Sequence, residues 1–221
     1  MLNQRLKQTL PRRTDTRKKP SNPSRSSIEN EISIFLLEYL RGYAIPTCLL
    51  EKTGTEALLR PLTMIPLEVS VWNTATGEYS KRLGLKDGHE LTFPVIEHRH
   101  KRPDLGNPLV NEFHIYSLRL ATPTQLRLIN RLASKANIVL RSFFERRELR
   151  LDKLGLEFGL FEDQIMIGNG ISPRTSIFTD MRNHSNALEG KLRRNARRPE
   201  VYKKNGVELH EEIRNRIFGV A

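Results

Sequence analysis

Cysteine is nearly absent: Cys48 is the sole example in 221 residues. That excludes an internal disulfide framework and fits a reducing compartment. Nothing near Cys48 in the sequence would activate it as a nucleophile, so it reads as a small buried apolar residue. Acidic residues are in short supply, 25 against 37 Lys and Arg, which leaves a formal net charge of +12. No apolar run approaches the roughly 18 residues of a membrane-spanning helix. No apolar core follows the basic residues at the N-terminus, so the expectation is a protein without a secretory leader or membrane span, located in the cytoplasm. Walker A, dinucleotide-fingerprint and zinc-ligand spacings are also missing.

The positive charge is unevenly placed. Arg5, Lys7, Arg12, Arg13, Arg17, Lys18, Lys19 and Arg25 stand against Asp15 alone in residues 1–26. Pro11, Pro20, Pro23 and a serine run make that segment irregular by composition. A second cluster comprises Lys191, Arg193, Arg194, Arg197 and Arg198. Fields of this kind attract polyanions and phosphorylated metabolites, although most such clusters are solvated surface.

Ser26 and Glu29 have the spacing of a capping box, and Ile28, Ile32, Phe35, Leu36, Tyr39 and Leu40 form one helical face that Gly42 can end. Short strands are expected at 47–51 and 56–60, and a further strand on the alternation of Leu67, Val69 and Val71. "NTATGE" reads as a loop, "GHELTFPVIEHRH" as another strand, and Thr122-Pro123 as the start of a helix reaching about Arg147. Leu156, Phe158 and Leu160 alternate toward a Glu162-Asp163 turn, and Ile165 and Ile167 follow, which predicts a hairpin with Glu157 on the opposite face. A last helix is expected from about Val207 to Phe218. Strands mix with helices without a regular βα repeat, so the fold class is α+β. His98 and His100 share a strand face but lack a third ligand nearby, and they read as a solvent-facing pair rather than a metal site.

Several stretches, in order, resemble the SAICAR (phosphoribosylaminoimidazole-succinocarboxamide) synthetase family of purine biosynthesis. They are "NEISIFLLEYLRGYAIPT", "IPLEVSVWNTATGEYSKRLGLKDGHEL", "NPLVNEFHI" and "LGLEFGLFEDQIMIGNGISP". The resemblance runs from about Ser27 to Asp180. It implies a two-lobed α+β fold with a nucleotide cleft, and ligation of aspartate to a carboxylated aminoimidazole ribonucleotide using ATP and Mg2+. A glycine- and lysine-containing strand pair that covers the ATP phosphates in the family has no counterpart here. The resemblance therefore implies a truncated N-terminal lobe: residues 1–26 an irregular basic segment, 27–66 a remnant of the ATP lobe, and 67–221 the substrate domain with its C-terminal helices.

The departures from the family pattern bear on chemistry. Trp72 stands where the family has a phosphate-binding arginine, Glu78 where it has a serine, and Ile177 where an arginine follows "SP". Gly155 replaces a lysine, Asn169-Gly170 an acidic pair, and Arg174 an aspartate. Mg2+ prefers anionic oxygen ligands, so no metal residue is assigned and the ATP and Mg2+ sites read as degraded. What survives suggests Glu157 as a candidate general acid/base and Glu78 as a second carboxylate. Trp72 would serve as a ring platform, with Asn73, Lys81, Arg82, Lys101, Ser172 and Arg174 binding a small nucleoside or nucleotide. Relatives of the family act in pathways to modified purine nucleosides of the 1,3-diazepine and C-nucleoside antibiotic type. The resemblance thus favours a repurposed enzyme of that kind. A non-catalytic partner of another pathway enzyme, with nucleic-acid binding through the tail as a minor variant, and a genuine ATP-dependent ligase are the alternatives. Homo-oligomers occur in the family, and nothing in this chain decides that point.

Overall fold

The computed structural model describes residues 24–54, 56–168, 170–182 and 206–219. The basic tail up to residue 23, Asn169 and the cluster from Lys191 to Arg198 lie outside the described residues.

The first helix, α1 (Arg25–Arg41), is capped by Ser24, whose side chain accepts from the Ser27 N–H. The cap therefore sits two residues before the Ser26 expected from the sequence. Glu29, freed from a capping role, lies beside Arg25, Arg174 and His210 instead. Gly42 does end the helix. A two-stranded sheet follows, β1 (Leu49–Thr53) antiparallel to β2 (Glu56–Leu59).

The main sheet contains β3 (Thr63–Ala75), β4 (His89–His100), β5 (Leu109–Val110), β6 (Leu149–Phe161), β7 (Gln164–Ile167) and β8 (Ile177–Asp180), with strand order β5-β4-β3-β6-β7. Opposite β3, the start of β6 pairs with β8 and its end with β7. β3 runs through Asn73, Thr74 and Ala75, so half of the expected "NTATGE" loop is strand, and helix α2 (Gly77–Leu83) takes up the rest. The β6–β7 hairpin turns on Glu162 and Asp163, at φ 47° and 64°. Two successive left-handed residues match the strand twist, as a tight hairpin requires.

Strand periodicity separates the two faces of the sheet. Leu67, Val69 and Val71 of β3 and Leu154, Leu156 and Phe158 of β6 are buried on one face. That face is covered by α4 (Pro123–Glu145), which follows the short α3 (Glu112–Ser117). Thr122 and Gln125 form a reciprocal capping box at the start of α4. Leu126, Ile129, Ala133, Ala136, Leu140 and Phe144 supply its buried stripe. The last helix, α5 (Gly206–Phe218), packs against α1. A long helix packed on one face of an antiparallel sheet, with strands and helices not alternating along the chain, makes this α+β.

Candidate functional site

The opposite face of the main sheet is polar. Register sets Arg99, Glu68 and Glu157 abreast, then Glu97, Ser70 and Gly155, then Val95, Trp72 and Lys153. Four carboxylates here each meet a cation. Lys101 Nζ lies 2.7 Å from Glu157 Oε2, and Lys153 Nζ lies 3.4 Å from Glu68 Oε1. Arg82 Nη2 donates to both oxygens of Glu97, at 2.6 and 2.8 Å. Arg99 lies 3.5 Å from Glu78 at the start of α2. Partly exposed pairs of this kind contribute only about 0–1 kcal/mol each to stability. Their chemical consequence is larger: a ligand that pairs with Glu157 or Lys101 must compete with the partner already there.

The structure thus brings together some of the residues singled out in the sequence. Glu157 and Lys101 are in contact, Arg82 reaches the same face through Glu97, and Glu78 reaches it through Arg99. Lys81 is exposed on α2 and its side chain has no partner among the described residues. Four others are placed differently from the sequence reading. Trp72 is not an open platform: it is 8% exposed, and its ring stacks on Tyr79 with centroids 4.7 Å apart. Its indole N–H donates to Glu97 Oε2 at 3.0 Å, and Lys153 Nζ lies 5.4 Å from the ring centroid. Asn73 faces the helix side, where the alternation of Leu67, Val69 and Val71 along β3 already places it. There its amide donates to Asn137 Oδ1 and to the Leu151 carbonyl, both at 2.9 Å, and accepts from Asn137 Nδ2 at 2.7 Å. The Ser172 hydroxyl accepts from the Arg174 N–H within its own turn. Arg174 extends toward α1, with Nε 3.8 Å from Glu29.

His98 and His100 are not a solvent-facing pair. They register with Val69 and Leu67, on the helix side of the sheet, and both are half-buried. His98 Nε2 lies 2.8 Å from Asn130 Oδ1 of α4. Burial lowers the His98 pKa, against a smaller opposing effect of the Asn130 hydrogen bond and Glu97. Sequence reasoning missed Glu68, Glu97, Arg99, Lys153 and Tyr79 as members of the charged face. Alternation marks which residues of one strand share a side, but no signal within a strand says which residues of another strand lie opposite.

Gly155 carries the most restrictive geometry on this face. A Cβ built there would lie 2.1 Å from the Thr175 carbonyl oxygen. The turn at 172–176 is seated on β6, with the Gly155 N–H donating to Ser176 Oγ at 3.3 Å. The Ser172 carbonyl accepts from the N–H groups of both Thr175 and Ser176 at 3.0 Å. A side chain at position 155 would have to displace that turn. At Gly170 a Cβ would lie 2.7 Å from Ser33 Oγ of α1, a contact that rotation of the serine side chain can relieve.

The magnesium implied by the family resemblance does not fit this donor set. Glu157 is one carboxylate already paired with an ammonium, and position 155 lacks room for a side chain while the Thr175 carbonyl stays in place. Among the described residues no group of three His, Cys, Asp or Glu is placed to hold a metal ion.

The chain matches the family model described as SAICAR synthetase over residues 13–208. The phosphoribosylaminoimidazole-succinocarboxamide synthase of Bacillus subtilis (strain 168) is 35% identical over 205 residues, covering 92% of this chain and 82% of that protein. The crystal structure of SAICAR synthetase from Pyrococcus horikoshii OT3 superposes with a TM-score of 0.75 at 28% identity, over 88% of this chain and 83% of that one. A SAICAR synthetase in complex with ADP superposes with a TM-score of 0.74, also at 28% identity, over 87% of this chain and 80% of that one. Motif order, the α+β fold and these similarities agree, and the chain belongs to the SAICAR synthetase family of purine biosynthesis.

Proposed function

We propose that the charged sheet face binds an imidazole- or purine-type nucleoside or nucleotide, and that ATP-driven joining of aspartate is not the reaction it serves. One observation carries this reading. Glu157 is held by Lys101 at 2.7 Å beside a glycine that cannot be given a side chain while the Thr175 carbonyl occupies its place. In this proposal Glu157 moves a proton on the bound ring, and Lys101 exchanges its carboxylate partner for an anionic group of the ligand. Lys81, exposed and unpaired among the described residues, pairs with a second anionic group. Glu78 supplies a further carboxylate at the start of α2. Trp72 acts indirectly, orienting Glu97 and through it Arg82. Synthesis of a modified purine nucleoside, of the diazepine or C-nucleoside type, is the setting that suits such a protein.

A genuine ligase is the second reading. It is favoured by the 35% identity to the Bacillus subtilis synthase across most of both chains and by the likeness to a synthetase that binds ADP. The two readings separate in one experiment. The full chain is incubated with carboxyaminoimidazole ribonucleotide, aspartate and Mg-ATP, and succinocarboxamide product and ADP are quantified. The expected result is neither product above background, together with calorimetric binding of an imidazole or purine nucleoside weakened about tenfold by Glu157→Gln. ADP and succinocarboxamide formed in equal amounts would overturn the proposal. So would equal nucleoside affinity in wild type and variant.

A further inference from the structure

The last helix, α5, is anchored to α1, to the end of β8 and to the carbonyls that follow α4. Arg214 Nε lies 2.6 Å from Glu31 Oε2 of α1, and His210 Nε2 lies 2.9 Å from Glu29 Oε1. Arg216 Nη2 lies 2.7 Å from Asp180 Oδ2, and its Nη1 donates to the Glu148 carbonyl at 2.8 Å. Arg182, just past β8, pairs with both Asp180 and Glu212. Ile213 and Ile217 are buried beneath these pairs, and the Phe218 ring meets Phe35 of α1 edge-on with centroids 5.1 Å apart. His210 is itself buried, so α5 and α1 pack closely at Glu29.

Glu29 also meets the turn at the rim of the charged face. Its carboxylate lies 3.8 Å from Arg174 Nε. Ser33 follows on the same face of α1 and lies against Gly170, where a Cβ would be 2.7 Å from Ser33 Oγ. α1 therefore touches α5 and the segment 170–174 at once. That segment leads into the turn seated on the sheet. The Thr175 carbonyl fills the space over Gly155, and Ser176 Oγ accepts the Gly155 N–H at 3.3 Å. Gly155 lies two residues before Glu157, whose own carbonyl accepts the Gly168 N–H at 2.9 Å. The contacts form an unbroken series from α5 through α1 and the turn to Glu157. The Arg174 pair is exposed and contributes little by itself, so the coupling runs chiefly through the seating of Gly170 on Ser33.

We propose that α5 is a brace for the charged sheet face. Its docking holds α1 against residues 170–176, and they hold the surroundings of Glu157. Glu29 is the positioning residue at the joint, since its carboxylate faces both α5 and the turn. A helix held in large part by half-exposed ion pairs opens at lower free energy than the central strands of a sheet. Loosening α5 therefore loosens the turn, and by reciprocity a ligand that orders the turn tightens α5. Only the consequence for a ligand rests on the binding role proposed for the charged face.

The test is hydrogen exchange of individual amides in the full chain, followed by NMR. Ile213→Ala leaves a void under α5, and Arg214→Gln removes its ion pair with Glu31 of α1. Exchange in α5 should rise about tenfold in the first variant and about threefold in the second. The Thr175 and Ser176 amides should rise by a similar factor, while β4 amides keep their wild-type rates. Glu29→Gln should give the same signature, and Glu29→Asp, which keeps the charge, a smaller one. Faster exchange in α5 with Thr175 and Ser176 unmoved would overturn the brace, and so would unchanged α5 exchange in Ile213→Ala. Calorimetric titration with inosine separates this outcome from the function proposed above. Inosine binding that is weakened by Glu157→Gln, with Thr175 and Ser176 unmoved in Ile213→Ala, refutes the brace alone. Coupled exchange in a protein that binds no inosine refutes the binding role and leaves the brace standing.

Discussion

Replacing Gly155 by alanine tests the geometry on which the functional reading depends. The added Cβ would lie 2.1 Å from the Thr175 carbonyl oxygen, whereas ordinary van der Waals contact begins near 3.4 Å. One of the two segments must therefore move by roughly 1 Å. Neither yields easily. β6 is paired with β3 on one side and with β7 and β8 on the other. The turn at 172–176 is closed by its own hydrogen bonds, including those from Thr175 and Ser176 to the Ser172 carbonyl. Overpacking of this kind costs about 1–3 kcal/mol, and losing the Gly155 to Ser176 hydrogen bond adds about 0.5–1.5 kcal/mol. A total near 2–4 kcal/mol corresponds to a fall in melting temperature of about 5–15 °C for a chain of this size. Urea unfolding followed by the fluorescence of Trp72, the sole tryptophan, measures it. A Gly155→Ala variant within about 0.5 kcal/mol of wild type would show that the turn is not seated on β6. It would also remove the reason for saying that the family's lysine cannot be restored there. With the geometry as described, Gly155→Lys should be at least as destabilised and should gain no ligase activity.

Two further perturbations probe what supports the site. Asn137→Ala should destabilise the protein by about 2–4 kcal/mol, because it leaves both ends of the buried Asn73 amide short of a partner; chemical denaturation checks this, and a cost below about 0.5 kcal/mol would refute the pairing. His98 has a pKa below its ordinary value because of burial, so the folded state resists its protonation. Its contribution to stability is complete above the ordinary histidine pKa of about 6.5 and is lost as pH falls through the lower folded value. Unfolding free energy should therefore fall less steeply between about pH 7 and 5 in His98→Gln than in wild type; parallel profiles would contradict the burial of His98 against Asn130.

Local patterns in the sequence were sufficient for a large part of the fold. Thr122, Pro123 and Gln125 specify the start of α4, and the alternation of Leu156, Phe158 and Leu160 with a Glu162-Asp163 turn specifies the hairpin. Both follow from interactions between residues a few positions apart, which any chain carries in its order. The motif series from Ser27 to Asp180 was likewise enough for the family. Tertiary structure decided the rest. The alternation of Leu67, Val69 and Val71 already sets the side of β3 on which Asn73 lies, but that it meets Asn137 of α4, 64 positions away, is a contact no local pattern encodes. That Trp72 is covered by Tyr79 depends on a helix where the composition of "NTATGE" suggested a loop. The close approach of Thr175 to Gly155 joins a turn and a strand twenty residues apart, and no local preference of either segment encodes that distance. The sequence determined by itself the longer strands and helices and the family to which they belong. Which carboxylate meets which cation was settled only when strand register brought distant residues abreast.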